Sequence, residues 1–360
     1  MKWLVAAVAA VVLLGAGHAR AEDMPPKYRE VVRKGLDYLA KVQHRDGHWE
    51  ANGGLYPMAM TGLSGMSMLM EGSTIRDGKY ADRIRKAVDW FMSRSQPNGL
   101  LGNPNSNLEM GRYMYGHGFG LLFLANVYGE EEDGARRKKL EEILTKAVQF
   151  TGKAQTSRGG WGYVSAADGS DFDEGSVTIT QVQGLRAARN AGIVVPKSVI
   201  DKSQEYLKNC TTGRGGVIYS LQSGGGGERP PLTAAAVACM FSAGEYNSPL
   251  PKQWLAYCKT AIPIDKSGRD SFGHWEYTHY YYSQAIYTLG EEGYAKLFPN
   301  SAPGDRLTWS KYRDVVFDYI ASRQASDGSW TQGGIGPVFT TSCHLTILQL
   351  DNGTLPIYQR

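Results

Sequence analysis

Cysteine is scarce in this chain: four residues in 360, Cys210, Cys239, Cys258 and Cys343, none of them in a CxxC pair. That spacing excludes thiolate metal motifs. One or two disulfides remain allowed, but Cys239 and Cys343 stand in apolar runs, where a buried free thiol is expected. A strong charge of one sign is also missing. The formal net charge is +4, and the basic residues are interleaved with acids, so neither nucleic acid nor an anionic membrane surface is implied as a partner. Strand-like alternation is sparse. Nucleophile elbow, P-loop, dinucleotide fingerprint and HExxH are all absent, and no spacing calls for a metal or another cofactor. The apolar run Leu4 to Leu14 is too short to span a bilayer. With Lys2 ahead of it and Ala19-Arg20-Ala21 behind, it reads as a signal peptide over residues 1–21, which places the mature protein in the periplasm or medium; a retained anchor is the alternative.

Glycine, by contrast, is plentiful, at 44 residues. The stretch from Lys153 to Ile193 shows how it is used. A helix ends at Gln155, the chain turns through Arg158-Gly159-Gly160-Trp161-Gly162, a polar loop carries four acids, and a second helix starts near Ser176. Glycine permits the tight turn and tryptophan plugs it onto a core. Related turns recur at Gln43 to Trp49 and Gln324 to Trp330, and weaker ones near Gly99, Gly216 and Trp275. Six units therefore fill residues 22–360 as one domain.

Helices ahead of each marker are amphipathic. Lys27 to Val42 places Val32, Leu36, Leu39 and Val42 on one face, and Asp82 to Ser95, Arg136 to Gln155, Lys197 to Asn209, Lys252 to Thr260 and Lys311 to Gln324 behave alike. Helices behind the markers are apolar nearly all round: Met58 to Met70, Phe119 to Val127, Thr233 to Ala243, Ser283 to Leu289 and Thr340 to Leu350, with the one after Ser176 more polar. A helix without a polar face has to be surrounded by protein. The expected fold is all-α, an (α/α)6 toroid of six helix hairpins with inner and outer rings. An open solenoid is the competitor.

The segments KVQHRDGHWE, KAQTSRGGWG and ASRQASDGSW resemble the QW repeats of the prenyltransferase and squalene-cyclase superfamily, over essentially the whole mature chain. In length and signal peptide the chain is most similar to single-domain exported bacterial members. The resemblance implies the toroid. It also implies that Asp171-Phe172-Asp173-Glu174 stands where class II terpene cyclases carry Asp-x-Asp-Asp, with Glu in place of the last Asp and one helical domain instead of two. Zinc-binding prenyltransferase subunits are matched less well: His344 follows Cys343, but no Asp-x-Cys occurs.

Several residues are candidates for chemistry. Carboxylates at a helix start are stabilised as anions, whereas acid catalysis needs burial or a like-charged neighbour. Asp171, Asp173 and Glu174 fit either role, with Asp173 the candidate acid. His117 and His279 are further catalytic candidates, each weighed against a plain structural histidine. Tyr115, Arg229, His274, Trp275, Tyr277, Tyr280 and His344 are candidate binding residues, since aromatic faces stabilise cations or stack on sugars; Tyr and Trp packing between helices is the plainer alternative. Repeat phase brings all six inner-helix starts to one end, so His117, Asp173, Arg229, His279 and His344 are expected to converge there. The expected ligand is a hydrophobic isoprenoid handled by a cyclase-like protein. A glycan-active enzyme and a non-catalytic binding scaffold are the alternatives.

Overall fold

The computed structural model describes residues 24–224, 226–242, 248–265, 267–268 and 273–359; the expected signal segment and Phe272 lie outside the described residues. The helices in chain order are α1 (Pro26–Val42), α2 (Pro57–Met70), α3 (Ala81–Arg94), α4 (Tyr113–Tyr128), α5 (Gly134–Ala154), α6 (Gly175–Asn190), α7 (Lys197–Asn209), α8 (Pro230–Ser242), α9 (Pro249–Ala261), α10 (Trp275–Leu289), the short α11 (Gly293–Leu297), α12 (Trp309–Ser322) and α13 (Pro337–Gln349). Among the described residues there are isolated β-bridges but no strand.

Composition sorts these helices into two layers. α1 buries only Tyr28, Val32, Gly35, Leu36 and Leu39, so its charged face stays in water. α2 buries every residue from Met58 to Met70. The inner helices α2, α4, α6, α8, α10 and α13 each pack on the next, and α13 packs on α2, which closes the ring. The fold is the (α/α)6 toroid, and the open solenoid is excluded by that closure.

Three turns share one hydrogen-bonded device that joins neighbouring units. Gln43, Gln155 and Gln324 follow outer helices, and each Nε2 donates twice. One acceptor is the turn glycine's carbonyl: Gly47 at 2.8 Å, Gly159 at 2.8 Å and Gly328 at 3.0 Å. The other lies near the start of the next outer helix: Arg83 at 2.9 Å, Val199 at 2.9 Å and Val31 at 2.8 Å. The tryptophan indoles turn back to cap carbonyls of the preceding helix, Trp49 on Leu39, Trp161 on Thr151 and Trp330 on Ile320, at 2.7 to 2.8 Å. Each indole thus satisfies an acceptor that the helix end would leave unpaired. The Gln324 bond to Val31 ties the last turn to the first helix.

Gly159 shows why these turns need glycine. Its φ is +92°, and a Cβ there would lie 2.3 Å from the Lys202 carbonyl oxygen of α7. Gly159→Ala is expected to cost more than about 1 kcal/mol, because strain and collision add. A lowered urea midpoint checks this; an unchanged midpoint would show that the turn can be rebuilt.

Two inner helices begin earlier than their sequence suggests. α4 starts at Tyr113, ahead of Phe119, because Gly116, Gly118 and Gly120 serve close packing rather than a turn: a Cβ on Gly118 would meet Thr180 Oγ1 at 2.6 Å. α10 starts at Trp275, well before Ser283. Trp275 therefore does not mark a fifth turn of the Gln and Trp kind. Its ring stacks on His279 with centroids 4.1 Å apart. Tyr280, Tyr281 and Tyr282 are buried core, and their hydroxyls hid the apolar character of the run. The four cysteines are all buried and free.

Candidate functional site

Closure of the ring sets the amino ends of the inner helices around one opening, and a cavity of about 590 Å³ lies there. Its wall follows helix phase. The third residue of five inner helices faces inward: Ala59, Tyr115, Leu232, Tyr277 and Phe339. The residue just before a helix start also reaches the cavity in five units, as Tyr56, Arg112, Glu174, Arg229 and His274. Met60, Leu63 and Phe119 deepen the apolar part, while Tyr163 and Tyr219 join the rim from loops. The rim tyrosines hydrogen-bond to each other through their hydroxyls, and the Arg112 guanidinium lies over the Tyr163 ring at 4.7 Å.

Glu174 is the acid of this wall, and it is 1 % exposed. It caps α6, accepting from the amides of Ser176 at 3.0 Å and Val177 at 2.9 Å. The Ser176 hydroxyl donates to it at 2.5 Å and the Tyr115 hydroxyl at 3.3 Å. These donors favour the anion, whereas burial favours the neutral acid. Burial is the largest effect, and the Glu174 carboxyl is pushed above its ordinary range.

The neighbouring acids point elsewhere. Asp173 does not line the cavity. Its oxygens accept from the Tyr206 hydroxyl at 3.0 Å and the amides of Leu221 at 2.7 Å and Gln222 at 3.2 Å, with Arg158 Nη1 at 3.5 Å. It fastens the loop after α7. Asp171 is partly exposed and accepts from the Ser157 amide and hydroxyl at 2.7 and 2.5 Å and from Arg158 at 3.0 Å. The Ser157 hydroxyl and amide, with Arg158, hold its carboxyl below the usual range.

The expected convergence of histidines does not occur. His117 and His279 are the fifth residues of α4 and α10, and two positions beyond an inward residue turns a side chain by about 200° to the far side of a helix. His117 accepts from the Leu101 amide at 3.1 Å and bonds Thr151 of α5 at 2.9 Å. His279 bonds the Tyr312 hydroxyl of α12 at 2.9 Å. His344 lies against the rings of Trp275 and Trp330. Burial lowers all three imidazoles to about 3, so they are neutral. Tyr280 is buried beside the Tyr358 hydroxyl at 3.4 Å. Of the residues singled out from sequence, Glu174, Tyr115, Arg229, His274 and Tyr277 meet at the cavity; Asp171, Asp173, His117, His279, Trp275, Tyr280 and His344 do not line it.

With this geometry described, the likeness to known proteins is clear in fold. The α-1,6-mannanase GH76A of Salegentibacter sp. HEL1_6, solved with α-1,6-mannotriose, superimposes with a TM-score of 0.60 at 10 % identity, over 91 % of this chain and 99 % of that one. The type II terpene cyclase MstE of Scytonema, solved with geranylgeranyl dihydroxybenzoate as substrate, gives 0.57 at 12 % identity, over 91 % and 98 %. In sequence, 93 residues, 26 % of this chain, are 28 % identical to lanosterol synthase of Homo sapiens and span 13 % of that protein. No protein-family model matches the chain. The fold is terpene-cyclase-like, and the mannanase shares it equally well.

Proposed function

We propose that the cavity binds a hydrophobic isoprenoid, with Glu174 in the position of the acid that sequence reading gives to Asp173. The observation that carries this is one buried carboxyl, the only acid of the lining, beside an apolar and aromatic floor of Ala59, Met60, Leu63, Tyr115, Phe119, Leu232, Tyr277 and Phe339, with Arg112, Arg229 and His274 at the helix starts. Apolar lining removes an isoprenoid chain from water at roughly 25 cal/mol per Å². Burial favours the neutral form of Glu174, the form that would protonate an alkene or epoxide, and the faces of Tyr115, Phe119 and Tyr277 would shield the cation that results. The signal-like segment at residues 1–21 supports a place outside the cytoplasm, with residues 22–360 working as one toroid domain.

The test begins with lipid and glycan profiling of material co-purified with the protein, where an isoprenoid is the expected passenger. If turnover of that lipid is found, Glu174→Gln is expected to lower it by at least about 100-fold while binding stays within a few-fold. Turnover unchanged in Glu174→Gln would remove the acid role. A glycan reading has one observation in its favour, the tyrosine rim with Arg112, Arg229 and His274. Recovery of an oligosaccharide instead of a lipid would establish it.

A further inference from the structure

The first turn carries a cluster that neither the ring nor the cavity uses. His44, His48 and Glu50 offer ligand atoms that all lie within 4.8 Å of one another. His44 Nε2 is 3.4 Å from Glu50 Oε1, and His48 Nε2 is 3.5 Å from Glu50 Oε2. A tetrahedral ion with bonds near 2.0–2.1 Å spaces its ligands about 3.3 Å apart, which the two histidine-to-glutamate separations match. The backbone brings the pair together, the His44 amide donating to the His48 carbonyl at 2.9 Å; the rings stack with centroids 4.2 Å apart and planes at 20°, so binding one ion requires them to turn out of that stack.

A second feature supports a ligand role. Asp46 Oδ1 lies 2.6 Å from His48 Nδ1. That contact places the ring proton on Nδ1 and turns the Nε2 lone pair toward Glu50, the carboxylate–histidine arrangement that orients metal ligands. Asp46 is itself held by the Trp90 indole at 3.2 Å and Arg94 at 3.4 Å, both on α3. The side chains are 44 % (His44), 17 % (His48) and 33 % (Glu50) exposed, so an ion can enter and a water can complete the coordination. None of the three lines the cavity.

We propose that His44, His48 and Glu50 form a site for one divalent transition metal ion of the zinc class, oriented by Asp46. Two imidazoles and a carboxylate suit zinc, copper or nickel, and leave hard calcium and magnesium poorly served. Because Asp46 is anchored to α3, the ion would clamp the first turn to the second unit. This does not depend on what the cavity binds.

The experiment uses the full mature chain without an affinity tag, titrated with Co2+ by absorption spectroscopy and with Zn2+ by calorimetry. Saturation at one equivalent per chain is expected, with visible Co2+ bands of a four-coordinate site and a higher Tm in Zn2+. His44→Gln and Glu50→Gln are expected to abolish the bands. Asp46→Asn, which leaves all ligands in place, is expected to weaken affinity by about 10–100-fold. Far-UV circular dichroism of each variant reports folding. No saturable uptake by the wild-type chain, or bands retained in folded His44→Gln, would overturn the proposal and leave these residues as two histidines sharing one carboxylate.

Discussion

Trp330→Ala is expected to lower stability by about 3–5 kcal/mol, in the range for a large aromatic side chain removed from a core. Trp330 is fully buried. Its amide is held by the Thr341 hydroxyl at 3.1 Å and its indole caps Ile320 at 2.8 Å. Its ring also packs against Gly35 of α1, so closely that a Cβ there would sit 2.9 Å from it. The substitution therefore empties the seam where the last unit meets the first, and leaves a buried helix carbonyl without its donor. Trp330→Phe separates these effects: it keeps most of the ring, and about 1–3 kcal/mol for the unpaired carbonyl should remain. Urea unfolding checks both variants. A loss below about 1 kcal/mol for Trp330→Ala would mean that the chain ends are not latched through this turn.

The protein is expected to lose stability steadily as pH falls below about 6.5. His117, His279 and His344 have folded pKa values lowered to about 3 by burial. The unfolded chain therefore takes up their protons first, so the stability these neutral rings carry is present above about 6.5 and is lost as pH falls toward 3. Two buried acids act in the opposite sense. Burial raises Glu109 to about 7 and raises Glu174 as well, so the folded state holds their protons first and gains as pH falls. Three imidazoles against two carboxyls leave one to two net protons between about pH 6.5 and 4.5. That is a loss of roughly 1.4–2.7 kcal/mol per pH unit. Below the ordinary glutamate pKa the acids no longer offset the histidines, and the fall steepens. Urea midpoints measured from about pH 7.5 to 4 give the net proton uptake directly. Stability that is flat or rises between about pH 6.5 and 5 would contradict the account.

The ring was legible because its turns make three separate chemical demands at fixed spacing. Gln43, Gly47 and Trp49 are repeated at Gln155, Gly159 and Trp161 and at Gln324, Gly328 and Trp330, and each residue type answers a distinct need: a two-way donor, a positive φ against a neighbouring backbone, and a buried cap. The fifth unit lacks that set, and Trp275 stood in for it until the helix start was seen.

The site was less legible, because it depends on phase within a turn. Asp173 and Glu174 are neighbours in extended backbone, with Glu174 at φ −152° and ψ 133°, and successive side chains there point to opposite sides. One fastens a loop and the other enters the cavity. Tyr115 against His117, and Tyr277 against His279, are separated by helix phase instead, two positions turning a side chain by about 200°. Tyr163 and Tyr219 reach the rim from loops that no helix phase locates, while Tyr56, Arg112 and Phe339 were missed for a related reason: their positions mean little until each inner helix has a first residue. Once it does, the position before it and the third position within it locate most of the wall.

The central claim is that this wall is built for an isoprenoid. It is tested most directly by equilibrium binding of a labelled C20 isoprenoid alcohol, with α-1,6-mannotriose as competitor, to the wild-type chain and to Ala59→Trp. Ala59 is among the lining residues, so an indole there reduces the open volume. The account predicts saturable isoprenoid binding that mannotriose does not displace and that Ala59→Trp weakens by at least about 10-fold, about 1.4 kcal/mol, with the urea midpoint unchanged. Isoprenoid binding that survives in Ala59→Trp, or mannotriose binding in place of the lipid, would contradict it.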